Sequence, residues 1–300
     1  MTKINPKSTP LRLSDLSSKG WTADPHKAFL LWYEAISLSP SYELARRYRL
    51  AGNKLSQSDK ARVPSDFEKV LKVYDDFGDV QRTFFREWWL DRGIRLFGSL
   101  GNRPKTQPLC MVSEKTVLDT EKIRHIQRYF DSAWLEQNKP EVLVVSIPMN
   151  IGKTKALREV KKLIDQHAVA PTVTQPPKYA LTNKDVHHKS ILDAISVLYM
   201  KAAYPDYKLW QIGVVSGISK TYSPQFDVQK TKRNIKNSEE LRHLEMMTSR
   251  KFRQARYLAE NAARGLFPVL TKPEIAVEFD AHEFKKVLLE KIRWRKANKQ

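Results

Sequence analysis

The stretch that most suggests chemistry is Ile151-Gly152-Lys153-Thr154, which follows an apolar run and precedes a helical pattern. That is the setting of a phosphate-binding loop. The complete pattern needs a glycine at position 147, where this chain has Ile147, and Pro148 removes a backbone N–H donor. Nucleotide hydrolysis is therefore not expected. The stretch is interpreted as a structural turn before a helix, whose N-terminus could attract an anion.

Two further groups of residues invite a metal or acid–base interpretation. His187 and His188 lie close to Asp185 in sequence, but on a helix adjacent side chains point about 100° apart and could not readily bind one ion. The aspartates within residues 75–79 fit a helix end and the N-cap of the next helix. Cys110 is the only cysteine, which excludes an intrachain disulfide and a cysteine-based zinc site. We therefore predict no enzymatic activity, no metal and no cofactor.

The composition indicates an anionic partner. The chain has 300 residues with 53 Lys and Arg against 33 Asp and Glu, which gives a net charge of +20. Such a charge favours polyanions, either nucleic acid or an anionic membrane surface. A membrane is the weaker alternative, because no apolar run approaches the roughly 20 residues of a spanning helix and the N-terminus lacks the apolar region of a signal peptide. A cytoplasmic location is expected, at the nucleoid if the source is bacterial.

A helix-turn-helix pattern runs from Lys208 to Tyr222. An apolar-faced segment contains Gly213, a second glycine follows at Gly217, and Ser219 could cap a following helix. A small residue midway along the first helix lets a second helix approach, and a glycine in the turn accepts a positive φ. The stretch of about residues 207–226 resembles helix-turn-helix DNA-binding domains. The resemblance implies a second helix whose N-terminal residues enter the major groove.

Pro224 departs from that pattern, because a recognition helix starting at Lys220 would contain it. A proline inside a helix removes a backbone hydrogen bond and clashes with the preceding turn, at a cost of about 3 kcal/mol. Ser223 and Pro224 form a good pair of N-cap and first helical residue, so the second helix is predicted to start at Pro224. The alternative is an ordinary helix-loop-helix turn within a core.

The sequence after the turn is strongly basic, and this charge supports a phosphate-contacting role. The residues predicted to lie near a DNA groove are Gln211, Ser219, Lys220, Thr221, Tyr222, Ser223 and Gln225. The residues predicted to contact phosphate are Lys230, Lys232, Arg233, Lys236, Arg250, Arg253 and Arg256. The predicted function is that of a non-enzymatic protein that grips duplex DNA, such as a bacterial or mobile-element regulator. An RNA-binding or ribonucleoprotein subunit, and a basic subunit of a larger nucleoprotein assembly, stay open as alternatives.

The alternative of RNA binding depends on a segment in which arginines alternate with aromatic residues. Between residues 82 and 97 the aromatic pairs Phe84-Phe85 and Trp88-Trp89 recur at helical spacing. Exposed rings beside arginines could stack on unpaired bases. The same spacing is typical of a helix that faces a core, and burial of these rings is the expected outcome.

The elements that would position these residues indicate a mainly α fold with a small α/β unit. The predicted organisation is a flexible arm at 1–22, a helical bundle at 23–100, a small α/β unit at 108–170 and a basic helical nucleic-acid-binding domain at 180–300. In the small unit, apolar runs at 109–112 and 141–147 alternate with helical patterns. This predicts a β-α-β-α order with its two strands side by side. The N-terminal bundle is expected to act as a scaffold or to bind protein partners.

Overall fold

A computed structural model describes residues 11–24, 27–100, 106, 108–111, 120–136, 139, 141–167, 175–183 and 187–298. The chain is mainly helical and has a small three-stranded sheet, so the predicted fold class is confirmed. The chain divides into two compact units. The larger unit contains the residues up to 18, residues 23–98 and the residues from 177 onward, and the smaller unit contains residues 19–22 and 99–176.

The helices, in chain order, are α1 Ala28–Ile36, α2 Pro40–Leu50, α3 Gln57–Lys60, α4 Phe67–Phe77, α5 Phe85–Trp88, α6 Ile94–Phe97, α7 Thr120–Asp131, α8 Ala133–Glu136, α9 Lys153–His167, α10 His188–Ala203, α11 Leu209–Ser216, α12 Ser238–Ala262 and α13 Ala281–Ala297. A π turn at Trp89–Gly93 connects α5 with α6. The strands are β1 Ser17–Ser18, β2 Trp21–Thr22 and β3 Ser99–Leu100, and the order in the sheet is β1-β2-β3.

Local sequence signals explain where several helices begin and end. Helix α2 starts with Ser39 as its N-cap, whose hydroxyl accepts a hydrogen bond from the Tyr42 amide at 3.2 Å, and with Pro40 as its first residue. Asp280 caps α13 by accepting from two backbone amides of the first turn. Helix α4 ends at Gly78, which has a φ of +74° that other residues rarely adopt.

The core of the larger unit is aromatic. Trp32 of α1 is fully buried, stacks on Phe267 with ring centroids 5.2 Å apart, and donates from its indole nitrogen to the Ala262 carbonyl. Phe85, Trp88 and Trp89 are also buried and Phe84 is half-buried, so the prediction that the arginine-flanked aromatic segment faces the core is confirmed for three of its four rings. Residues from the segments 23–100 and 180–300, which the sequence divides into a bundle and a basic domain, therefore share one core.

Buried charged side chains connect early and late segments of the chain inside this unit. The Glu260 carboxylate accepts from the hydroxyls of Ser39 and Ser41, both at 2.6 Å. The Lys291 ammonium lies 3.2 Å from the Glu34 carboxylate and donates to Tyr199. Burial alone would raise the pKa of Glu34, but the positive charges of Lys291 and Arg295 outweigh it and lower that pKa. Replacing one partner would leave a buried charge unpaired, so these pairs make the fold sensitive to substitution.

The smaller unit is sparsely packed over its described residues. Strands β2 and β3 pair antiparallel with Trp21 opposite Leu100, and Gln175 forms an isolated bridge to Leu100. The strand predicted at 141–147 is wrong, because these residues form no ladder, and residues 109–111 of the strand predicted at 109–112 are also irregular. A continuous apolar run marks burial as readily as it marks a strand. Here both runs line an open hollow of about 650 Å³.

Candidate nucleic-acid interface

The first helix and the glycine turn of the helix-turn-helix pattern are present. Helix α11 starts where the Lys208 amide donates to the Gln211 side-chain oxygen at 2.9 Å. It ends at Gly217, whose φ of +63° lies in the left-handed region that glycine adopts without strain. The Ile218 amide then closes the helix end on the Gly213 carbonyl at 3.2 Å. The predicted helix and turn are therefore confirmed.

Gly213 permits a close approach between two helices. A Cβ at this position would lie 2.4 Å from the Thr248 hydroxyl oxygen and 2.8 Å from a Leu244 carbon. Both of those residues are buried on α12. Gly213 does admit a second helix, as predicted, but that helix is α12, which starts more than twenty residues after the turn, and not a helix directly after it.

No recognition helix follows the turn directly. The helix predicted to start at Pro224 is wrong, because Ser223–Gln225 form a single 3-10 turn and the next α-helix begins at Ser238. The Ser223 hydroxyl donates to the Gly213 carbonyl at 2.9 Å and accepts from the Ser219 amide at 3.1 Å. These bonds hold the segment against α11, whereas a helical N-cap would direct the same hydroxyl toward amides farther along the chain.

The predicted groove residues differ in accessibility. Ser219 and Ser223 are buried and hydrogen-bonded to nearby backbone groups, and neither side chain is available to a base edge. The Gln211 amide donates to the Val228 carbonyl, and Tyr222 stacks on His243 with ring centroids 5.9 Å apart. The exposed groove residues are Lys220, Thr221 and Gln225, and the exposed members of the predicted phosphate-contacting set are Lys230, Lys232, Arg233, Lys236, Arg250 and Arg253.

Helix α12 has one buried face and one basic face. Its buried face contains Leu241, Leu244, Thr248, Ala255 and Leu258. On the opposite side Arg242, Arg250 and Arg253 are exposed at spacings of eight and three residues, which places them along one stripe. Within the part of the chain that the structure describes, none of these three arginines forms an ion pair. Arg256, the last predicted phosphate contact, is half-buried and lies 5.8 Å from the Phe252 ring centroid.

The loop of residues 219–237 lies along the N-terminal half of α12. The stacking of Tyr222 on His243 fixes one end of it, and an Arg233–Glu245 contact of 3.4 Å fixes the other. We define the basic surface as Lys220, Lys230, Lys232, Arg233, Lys236, Arg242, Arg250 and Arg253. Across residues 208–256 eleven Lys and Arg face four Asp and Glu, so positive charge prevails throughout this region.

One of those four acidic residues shapes the loop. The Asp227 carboxylate accepts from the backbone amides of Gln229 and Lys230 at 2.8 and 3.2 Å. These amide hydrogen bonds lower the pKa of Asp227, because they stabilise the ionised form. The charge of Asp227 is thus directed into the turn that presents Lys230, and the lysine side chain stays exposed.

The other candidate groups form no comparable site. Helix α9 starts at Lys153 after Gly152, which has a φ of +80°, but residues 141–148 before it form no strand to frame a phosphate-binding loop. His188 is the first residue of α10, and Asp185, its proposed companion, lies outside the described residues. Among the described residues, no three His, Cys, Asp or Glu side chains are grouped so as to hold a metal.

The carboxylates of residues 75–79 serve the fold. Asp75 pairs with Arg49 at 2.6 Å, and Asp76 accepts from Lys178 and Tyr179 at the same distance.

Within the described segments, no helix is long and apolar enough to cross a bilayer. Comparison of the chain with protein-family models, curated protein sequences and solved structures found no match.

Proposed function

We propose that this chain is a non-enzymatic DNA-binding protein that holds duplex DNA against the basic surface. The observation that carries the proposal is the stripe of exposed arginines on α12, with the lysine-rich loop beside it. Exposed cations of one sign repel one another, and a row of phosphates relieves that repulsion while releasing counterions. The contact would be made mainly to the DNA backbone, which fixes position and supplies affinity without reading sequence.

The dimensions of the stripe suit a phosphate backbone. Arg242 and Arg253 are eleven residues apart, which is roughly 16 Å along an α-helix. Duplex DNA carries one phosphate per strand about every 3.4 Å of its axis, so a stripe of this length could follow several phosphates. Lys220, Thr221 and Gln225 are the exposed side chains of the predicted groove set, and they are the residues left to contact base edges.

The RNA-binding alternative loses its proposed stacking surface. Phe85, Trp88 and Trp89 are buried in the core of the larger unit, and the half-buried Phe84 packs on Trp294 with ring centroids 5.1 Å apart. Arg86, in the same segment, pairs with Asp15 at 2.8 Å. Stacking on unpaired bases requires open ring faces, which these side chains do not offer. Duplex DNA is therefore the polyanion that we favour.

A charge-matched pair of variants tests the proposal. Arg250→Ala with Arg253→Ala removes two cations from the basic surface. Lys285→Ala with Lys286→Ala removes two exposed cations from α13. We expect the first variant to weaken binding to a labelled duplex by roughly tenfold or more, because two phosphate contacts are lost. The α13 variant changes only the long-range field, so its loss should be several times smaller. Equal losses in fluorescence anisotropy titrations would reject the assigned surface.

A further inference from the structure

The basic surface contains an apolar side chain that its charge does not explain. Ile235 is 98% exposed, more than any other large apolar side chain among the described residues. It lies in the loop before α12, with Lys232 and Arg233 on one side in sequence and Lys236 on the other, and all three cations are exposed. Burial of an exposed isoleucine is favourable, and the positive charges of its neighbours attract an anionic partner to the same place.

Hydrogen bonds fix the turn that presents Ile235. The Asn234 side-chain oxygen accepts from the amides of Lys236 and Asn237 at 2.9 and 3.1 Å. The Asn237 side-chain oxygen accepts in return from the Asn234 amide at 2.8 Å, and its side-chain nitrogen donates to the Lys232 carbonyl at 3.0 Å. The two asparagines thus close a compact turn around Ile235. A side chain held in a fixed turn loses less conformational entropy on binding than one on a mobile loop.

Two of the three cations in this turn have no ionic partner in the described chain. Arg233 is the one cation of the turn with an ionic partner in the described chain, Glu245, and that contact also anchors the turn to α12. Glu239 and Glu240 lie in the first turn of α12, where their negative charges interact favourably with the positive end of the helix dipole. Lys232 and Lys236 therefore remain on either side of Ile235 to contact phosphates.

From this combination we infer that Ile235 is a wedge that inserts between stacked base pairs of the bound DNA. The inference rests on the proposed function and specifies how the same surface binds. A base step offers two apolar faces between two phosphate backbones, and this matches an aliphatic side chain flanked by cations. Proteins that insert Ile, Leu, Met or Phe in this way unstack the step and bend the duplex by about 20° to 90°.

The test measures affinity and bend angle together, on a duplex labelled at both ends for energy transfer. The variant is Ile235→Ala. Its matched control is Leu13→Ala, which shortens another exposed aliphatic side chain, 82% exposed and distant in sequence from the basic surface. Both positions are exposed, so neither change should disturb folding, which circular dichroism would verify.

We expect the wild-type protein and Leu13→Ala to bend the duplex equally. Ile235→Ala should lose most of the bend and roughly five- to thirtyfold in affinity, because most of the buried aliphatic surface is gone. Ile235→Met, which keeps a long apolar side chain, should retain most of the bend.

Two results would overturn the inference, and they are distinguishable. If the wild-type protein binds the duplex but Ile235→Ala binds and bends it equally well, the wedge is rejected while the proposed function stands. If the wild-type protein binds no duplex at low salt, the proposed function fails and the wedge fails with it. Tight binding of an acidic protein through Ile235, without DNA bending, would likewise reject the wedge.

Discussion

Asp15 illustrates how single side chains set the response of this protein to pH. Arg86 donates to both oxygens of the Asp15 carboxylate, at 2.8 and 2.9 Å. These bonds lower the pKa of Asp15 from an ordinary value of 3.8 to about 2. The folded-state pKa therefore lies below the unfolded-state value. The stabilisation is complete above about pH 4 and is lost as the pH falls toward 2.

We expect Asp15→Asn to unfold with a weaker dependence on pH between about 4 and 2 than the wild-type protein. The measurement is the free energy of unfolding from urea titrations at several pH values. Glu274→Gln, which replaces an exposed carboxylate, is the control and should keep the wild-type slope. An identical pH dependence in all three proteins would show that the Asp15–Arg86 pair does not contribute.

At the scale of elements, the packing of α11 against α12 depends on Gly213. A methyl group there would lie within 3 Å of both Thr248 and Leu244. We expect Gly213→Ala to destabilise the protein by about 1–3 kcal/mol, because a close-packed helix contact must open. Ser249→Ala, at an exposed position of α12, should change stability by less than about 0.5 kcal/mol. Urea unfolding midpoints would measure both, and equal stability of the two variants would contradict the close contact.

Local signals predicted α11 and its turn correctly, but they did not predict the irregular loop after the turn. Gly217 ends the helix because its φ is positive, and the presence of a glycine in the sequence already indicates such a conformation. Ser223 and Pro224 fit a helix start equally well, and only the bond from the Ser223 hydroxyl to the Gly213 carbonyl decides against it. That bond joins residues ten positions apart, and no periodicity reveals it. The exposure of Ile235 could not be predicted for a related reason, because the residue type alone does not show whether an isoleucine is buried.

At the scale of the whole molecule, the sequence predicted the helical class and the aromatic core but not the shared core of distant segments. The stacking of Trp32 on Phe267 and the pairing of Glu34 with Lys291 link residues more than 230 positions apart. Such contacts leave no trace in a local pattern. The net charge of +20, in contrast, is readable from composition alone, and the fold concentrates part of it on the basic surface.

The salt dependence of duplex binding shows most clearly whether the basic surface holds DNA by its phosphates. Each phosphate that the cations of the basic surface neutralise contributes a slope of about −0.9 to a plot of log affinity against log salt concentration. We predict a slope of roughly −4 to −7 for duplex DNA. In the Arg250→Ala, Arg253→Ala variant the slope should be shallower by about 2. Single strands and structured RNA of equal length should bind more weakly than the duplex. A slope near zero, or no duplex binding at low salt, would show that the basic surface does not bind duplex DNA.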